Sequence, residues 1–390
     1  MISSISSSNR FVLVVLTGLF LCVGCAGPRG MAETMQRPEK GSYRIAIFPV
    51  ENLSGGKAPL KELRLSLAEK IKTAGFDVLP DDSLNKFLAR HRIRYIGGID
   101  GESARDMAEE EQVQAVLIPS LEYYDDSYPP KIALTARLVS TAGEPEILWM
   151  DSIALSGNDS PGLFDTGLIR DPAKLTDKAF RELTRSLSDS FGGGFRVSVD
   201  QLLKKKFPPR QFYRSDLAPD KQFRIVVLPF YNRSDRKNAG EIMALHFVQE
   251  LRRLGNFTVV EPGMVRHHLL QYRLIMEGGV TNANADVIYD VLQANVLLTG
   301  RVIDYQDGRG ETGVPTVDFS VTMLDKEHHM IVLAADSYNT GDDRVHFFDF
   351  GRISTAYGVA IEMIRGIMDR IDMQRGTPAV EGGGRIAPNH

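Results

Sequence analysis

The sequence predicts an α/β protein built as two tandem copies of a mixed β-sheet packed with helices, each in the order β-α-β-α-α-β-β-β-α, with no β-propeller. Three observations carry this reading. Residues Arg44 to Ser54 (RIAIFPVENLS) return as Arg224 to Ser234 (RIVVLPFYNRS), with five of eleven positions identical at a spacing of 180. Each copy continues through apolar residues at helical spacing and then through strands of period two. The glycines and prolines that punctuate the first copy recur in the same order in the second.

In the first copy, the apolar run before Pro49 suits a strand buried on both faces, and Asn52 and Ser54 suit its exit turn. The loop Glu51 to Pro59 leads to a helix with Leu60, Leu63, Leu67, Ile71 and Ala74 on one side, and Gly75 ends it. A short strand over Phe76 to Leu79 follows, then a helix from near Ser83 and a further short helix near Glu102 to Glu111. The strand Ala115 to Leu121 comes next. In the following strand Ile132, Leu134, Ala136 and Leu138 alternate with Lys131, Ala133, Thr135 and Arg137, which predicts one better-buried face. A strand over Ile147 to Leu155 carries the only tryptophan, Trp149, and a helix from about Ala173 to Ser190 closes the unit.

The second copy repeats this order. Met243, Phe247, Leu251 and Leu254 line its first helix, and Gly255 stands where Gly75 stood. Val259-Val260-Glu261-Pro262 answers Val78-Leu79-Pro80, and Gly278-Gly279 answers Gly97-Gly98. Val317, Phe319, Val321 and Met323 alternate as before, and a helix from about Ile353 to Met373 closes the copy. The organisation expected is a lipoprotein signal at 1–24, a tether at 25–42, domains at 43–190 and 223–373 joined by a linker at 191–222, and a disordered tail at 374–390. Phe207, Phe212 and Tyr213 give the linker a means of packing partly on a domain.

With 43% hydrophobic and 25% charged residues the chain has ordinary globular composition. Its formal charge is -4, and -5 without residues 1–24, whose only charge is Arg10. That excludes a global basic field for nucleic acid. Arg10 precedes thirteen residues, Phe11 to Val23, that are apolar apart from Thr17 and Gly18. The run falls short of the about 20 residues of a transmembrane helix and reads as the core of an export signal. It ends in Leu21-Cys22-Val23-Gly24-Cys25-Ala26, which looks like a bacterial lipoprotein signal that would leave Cys25 as an acylated first residue. An ordinary signal peptide or an uncleaved anchor is the alternative. Cys22 and Cys25 are the only cysteines, so a lipidated chain would have no disulfide, thiolate zinc site or cysteine nucleophile. Ala26 in place of aspartate favours the outer membrane, and the seventeen residues 26–42 beyond the acylated cysteine reach at most about 58 Å from the lipid.

No catalytic constellation is legible. Seven of the eight histidines lie at or after position 246, but the adjacent pairs His267-His268 and His328-His329 diverge on a helix or a strand, so no metal site is expected. Phosphate-loop, His-Glu-x-x-His and Gly-x-Ser-x-Gly motifs are missing. Asp151 and Asp336 hold equivalent strand positions in separate domains and read as inherited sheet-edge residues. Asn52, Ser54, Asn232 and Ser234 are the candidate binding residues, because their loops leave the C-terminal ends of the first strands, where α/β sheets form ligand crevices. Solvated connections into a helix are the plainer reading of the same loops. Lys204 to Tyr213 interleaves basic and aromatic residues, which fits either a headgroup, glycan or acidic-partner contact or a solvated linker.

The strand ending in Leu/Phe-Pro-Phe/Val with Asn and Ser after it, the helix ending in Gly-Phe, the Val-Val-Glu-Pro segment and the later apolar strand ending in Gly are similar to the TolB amino-terminal-like superfamily. That group includes the CsgG-like lipoproteins of curli secretion and the lipoprotein activators of penicillin-binding proteins. The resemblance covers roughly residues 43–190 and 223–373. It implies an envelope protein that works by contacting other proteins in secretion, appendage or cell-wall assembly. The intervals Asp125 to Pro130 and Gln306 to Val314 are too short for pore-forming hairpins, and no propeller repeats follow.

The expected function is therefore that of a non-enzymatic, lipid-anchored interaction or assembly factor at the outer membrane, facing the periplasm. Its expected partners are outer-membrane lipid, through the acyl anchor on Cys25, and envelope proteins, with no cofactor. A small-ligand or glycan-binding module seated on the two loops is the alternative, and a homo-oligomeric ring is a third reading.

Overall fold

The computed structural model describes residues 43–159, 167–191, 207–215, 221–274, 279–308, 310, 313–343, 345 and 352–372. Cys25, the signal, the tether, most of the linker and the tail lie outside the described residues.

The first repeat runs β1 (Arg44–Ile47), β2 (Glu51–Asn52), α1 (Leu60–Thr73), β3 (Asp77–Val78), α2 (Asp81–Arg90), α3 (Gly101–Glu111), β4 (Ala115–Asp125), β5 (Lys131–Ser140), β6 (Ile147–Ser156) and α4 (Pro172–Phe191). Its sheet has the order β3-β1-β4-β5-β6, with β2 beside β4. β1 is parallel to β3 and β4, and β4, β5 and β6 form an antiparallel meander. Gly75, at φ 95°, ends the first helix turn in a conformation that favours glycine. Asp100 caps α3 by accepting from the Glu102 and Ser103 amides.

The second repeat runs β8 (Phe223–Val227), β9 (Tyr231–Asn232), α5 (Ala239–Arg252), β10 (Phe257–Val259), α6 (Pro262–Gln271), α7 (Asn282–Val291), β11 (Val296–Gln306), β12 (Thr316–Asp325), β13 (Ile331–Thr340) and α8 (Ala356–Asp372). Among the described residues the architecture is therefore the expected pair of mixed sheets packed with helices, neither closed into a barrel nor extended into a propeller. The minor strands β2 and β9 were not foreseen. Two residues are too few for any periodicity to show.

The linker packs on the second domain through Phe207, Phe212 and Tyr213, and it adds a strand that the sequence reading does not include. Gln211–Arg214 forms β7, which pairs antiparallel with β13 and becomes an edge of the second sheet, order β10-β8-β11-β12-β13-β7. Phe207, just before it, is fully buried in the second core. β7 also corrects the expectation for Asp336: Asp151 does sit on the edge strand β6, but Asp336 is flanked by β7.

The two repeats pack as successive layers. α1 and α4 cover one face of the first sheet through Leu63, Leu67, Ile71, Leu175, Phe180 and Leu183. The opposite face is covered near β1 by α2 and α3. Farther along β4, β5 and β6 it is covered by α5 and α8 of the second repeat, with Tyr357 and Ile361 packed on Ala133. The other sides of α5 and α8 fill the core of their own sheet. Twelve of the fourteen α5 residues are buried against five in α1, because α5 lies between two sheets and α1 has a solvated side. β5 is accordingly buried on both faces, not one: Lys131, Ala133, Thr135 and Arg137 are as inaccessible as the apolar residues between them. Its counterpart β12 keeps the alternation that the period of two predicts.

Candidate functional site

The Asn-x-Ser sequence builds the same turn twice. Asn52 Oδ1 accepts from the Ser54 amide at 3.1 Å and from Ser54 Oγ at 2.6 Å, while Asn52 Nδ2 donates to the Gly56 carbonyl at 2.9 Å. Asn232 Oδ1 accepts from the Ser234 amide at 3.0 Å and from Ser234 Oγ at 2.7 Å, and its Nδ2 donates to the Arg236 carbonyl at 2.7 Å. A short amide side chain bonding the backbone two residues on is what makes Asn a turn former. In both copies, the groups singled out for binding are engaged in holding their own loop.

The two turns meet each other. The Arg236 guanidinium donates to the Ser54 carbonyl and to the Glu122 carbonyl, and Asn238 Nδ2 reaches the Leu53 carbonyl at 3.4 Å. Asp307 lies 3.6 Å from Arg236 Nε, an ion pair without a hydrogen bond. Burial pushes the Asp307 carboxyl up, and the Arg236 charge pulls it back.

From this joint a polar seam runs between the first sheet and the second repeat. A β-bulge in β4, between Leu121 and Tyr123, frees Glu122 from the ladder. Its carboxylate is 1% exposed and meets His246 Nε2 at 2.8 Å and the Thr135 hydroxyl. His246 Nδ1 makes no hydrogen bond. Lys131 Nζ donates to the Gly308 carbonyl at 2.6 Å, and burial pulls its pKa down against the field of Asp307. On α5, Arg252 donates to the Ile147 carbonyl at 2.7 Å, and its burial brings the pKa down to about 10.

The other end of the seam holds a buried charge cluster. Arg137 Nη2 lies 3.2 Å from Glu261 Oε1, both side chains having no exposure, and donates to the Gly97 carbonyl. Glu261 also caps α6 by accepting from the Met264 amide at 3.0 Å. Burial raises the Glu261 carboxyl against the pull of Arg137, and it raises Glu51 in the same way, opposed by Arg137 and by the Ser120 hydroxyl at 2.7 Å. The Arg266 guanidinium stacks 4.3 Å over the Tyr95 ring. Gly98 and Gly263 bring the two backbones into contact, since a Cβ on Gly98 would lie 2.4 Å from Gly263 Cα.

Such an arrangement has the chemistry of a weld between two halves. A cavity of about 10 Å³ inside the first core, lined by Val50, Leu63, Leu134 and Phe180 among others, has room for about one water. His267 lies 4.0 Å from Asp100 at the edge of the seam, whereas His328 and His329 face Asp325 and Asp286 within the second repeat. Among the described residues no group of three potential ligands is placed to hold a metal ion, and no helix is long and apolar enough to cross a membrane.

The seam residues Glu122, Arg137, His246 and Glu261 were not singled out from the sequence. The available signal was α5 itself, whose segment IMALHFVQEL is apolar on nearly every side, the mark of a helix covered all round.

No protein-family model matches the chain, and no curated protein matches it. Solved structures do. The chain is similar to the PelC dodecamer from Paraburkholderia phytofirmans at 15% identity and TM-score 0.30, over 42% of this chain and 95% of that one. It is similar to the LpoB C-terminal domain from Salmonella enterica at 18% identity and TM-score 0.26, over 30% of this chain and 84% of that one. Lipoprotein GNA1162 from Neisseria meningitidis matches at 20% identity and TM-score 0.27, over 37% of this chain and 98% of that one.

Proposed function

We propose that this chain is a lipid-anchored, non-enzymatic interaction or assembly factor at the outer membrane, facing the periplasm and working through contacts with envelope proteins. The observation that carries the reading is the joint between the loops. Asn52, Ser54, Asn232 and Ser234 hydrogen-bond within their turns, and Arg236 crosses to the other turn, so the chemistry at the strand ends makes one rigid body out of two repeats. A two-sheet body on an acylated Cys25 would present its surfaces to partners within the reach of the tether, at most about 58 Å from the membrane.

Crosslinking of the tagged chain in isolated outer membranes, followed by mass spectrometry, tests it. The expected result is a defined envelope protein that co-purifies with the parent and is lost with Cys25→Ser. Fatty-acid labelling that does not depend on Cys25 would remove the anchor from the reading. The ligand-binding alternative predicts a saturable thermal shift with cell-wall fragments that Asn52→Ala or Asn232→Ala abolishes. The turn geometry predicts lower melting temperatures for both variants with no ligand present.

A further inference from the structure

The second repeat exposes the sheet face that the first repeat has covered. Each of β4 and β11 carries a bulge at the same place, and the extra residue is Glu122 in one and Ile303 in the other. Glu122 is 1% exposed against His246, whereas Ile303 is 49% exposed. On the neighbouring strand the seam positions Lys131, Thr135 and Arg137 correspond to Thr316, Ser320 and Thr322, all only half-buried.

The helix half of the seam is also present twice. Matching Gly75 to Gly255 places α1 on α5, with Ser66 at the position of His246 and Leu65 at that of Leu245. Leu245 is 6% exposed in the seam, and Leu65 is 48% exposed. α4 likewise stands where α8 stands, both packed on the inner faces of their own sheets. Among the described residues, one sheet face at one end of the layer stack and one helix face at the other are thus left uncovered.

We propose that a second copy of this chain docks there head to tail, its α1–α4 face on the β11–β12–β13 face, repeating between chains the seam formed within each chain. The polarity of the exposed sheet face is no obstacle, because the seam already buries Glu122, Lys131, Thr135 and Arg137 on the corresponding face. Both faces carry charge. Asp304 and Asp318 are direct cross-strand partners, with Asp336 on the next strand and Arg210 acting on Asp318. The helix face presents exposed Lys61, Lys72, Lys174 and Arg185 beside exposed Glu62, Glu69 and Glu182, and Arg181 is paired with Asp177.

The strongest anchor of the seam is not duplicated: Arg137 and Glu261 correspond to Thr322 and Pro80. The contact between copies therefore lacks a buried ion pair and is reversible, unlike the seam. A head-to-tail contact is heterologous and closes into a ring or continues as a filament. This assembly depends on neither the anchor nor an envelope partner, so it stands or falls separately from the proposed function.

Cysteine pairing in the full chain, held in detergent, tests the geometry. Copies carrying Ile303→Cys are mixed with copies carrying Ser66→Cys and oxidised. The expected product is a disulfide dimer that appears only in the mixture, above the background of the parent, and a ladder when both changes are in one chain. Absence of the mixed dimer would overturn the proposal, as would Ile303→Cys copies joining one another, which would mean an isologous contact. Sedimentation of the parent should show a mass that rises with concentration in whole multiples of one chain. Ile303→Glu, at an exposed position, should weaken that association about tenfold by burying a charge opposite Leu65 and Ser66, with the melting temperature kept. A single-chain mass at every concentration sinks the idea, as does an envelope protein occupying this face in place of a second copy.

Discussion

Arg137 and Glu261 stand 124 residues apart and form a fully buried ion pair, with nitrogen and oxygen 3.2 Å apart, between the sheet of one repeat and the first turn of a helix in the other. Removing one partner leaves a charge in the seam with no water to solvate it. Arg137→Met should therefore cost about 3–5 kcal/mol. Arg137→Met combined with Glu261→Met should cost clearly less than the single change. Urea unfolding of the four proteins of the cycle measures both, and a double-variant loss equal to the sum of the two single losses would show that the two side chains contribute independently, through packing alone.

The glycine contact makes a second expectation. A Cβ on Gly263 would fall 2.3 Å from the Ile99 amide nitrogen and 2.7 Å from the Gly98 carbonyl carbon, which are backbone, and 2.6 Å from Glu261 Oε2. Gly263→Ala should lower stability by about 1–3 kcal/mol through overpacking, and Gly75→Ala, where nothing lies within 4 Å, should act only through its backbone angle. Thermal melts of the two variants separate a steric cause from a conformational one.

Phe207 tests whether the segment between the repeats is a spacer or a part of the fold. It is fully buried in the second core, and Gly366 on α8 approaches its carbonyl so closely that a Cβ there would lie 2.1 Å away. Phe207→Ala should cost about 3–5 kcal/mol. A change of only a few tenths would return residues 207–215 to the status of a linker.

Acid should stabilise the protein within a defined window. Burial raises the carboxyl groups of Asp151 and Glu51 above their ordinary values of 3.8 and 4.5. The folded state then binds more protons than the unfolded state between those values and the raised ones. Stability from these groups is full below the ordinary values and is lost as pH rises through the raised ones. Asp325, held low by the Met330 and His328 amides and the His328 ring, acts in the opposite sense below 3.8. A denaturation midpoint that rises from neutral pH toward about 5 is expected, with a smaller rise for Asp151→Asn. A flat profile would contradict it.

The repeated unit is legible in the order of residues alone. Strand, turn and helix follow from local rules: four apolar residues before a proline, an Asn that bonds two residues ahead, a glycine at φ 95° or 70° after a helix, and alternation along β12. These are short-range effects, and duplication reads each of them twice. How the two units meet is not legible there. The burial of both faces of β5, the turn of Glu122 toward His246 and the place of β7 at the edge of the second sheet depend on contacts between residues far apart in the chain. Lys131, Thr135 and Arg137 have the period of a solvated face, and alternation records which residues share a face without recording what covers it. The physical reason is that a polar residue can be satisfied by water or by a buried partner with the same local sequence, and only the packing of the second repeat removes the water.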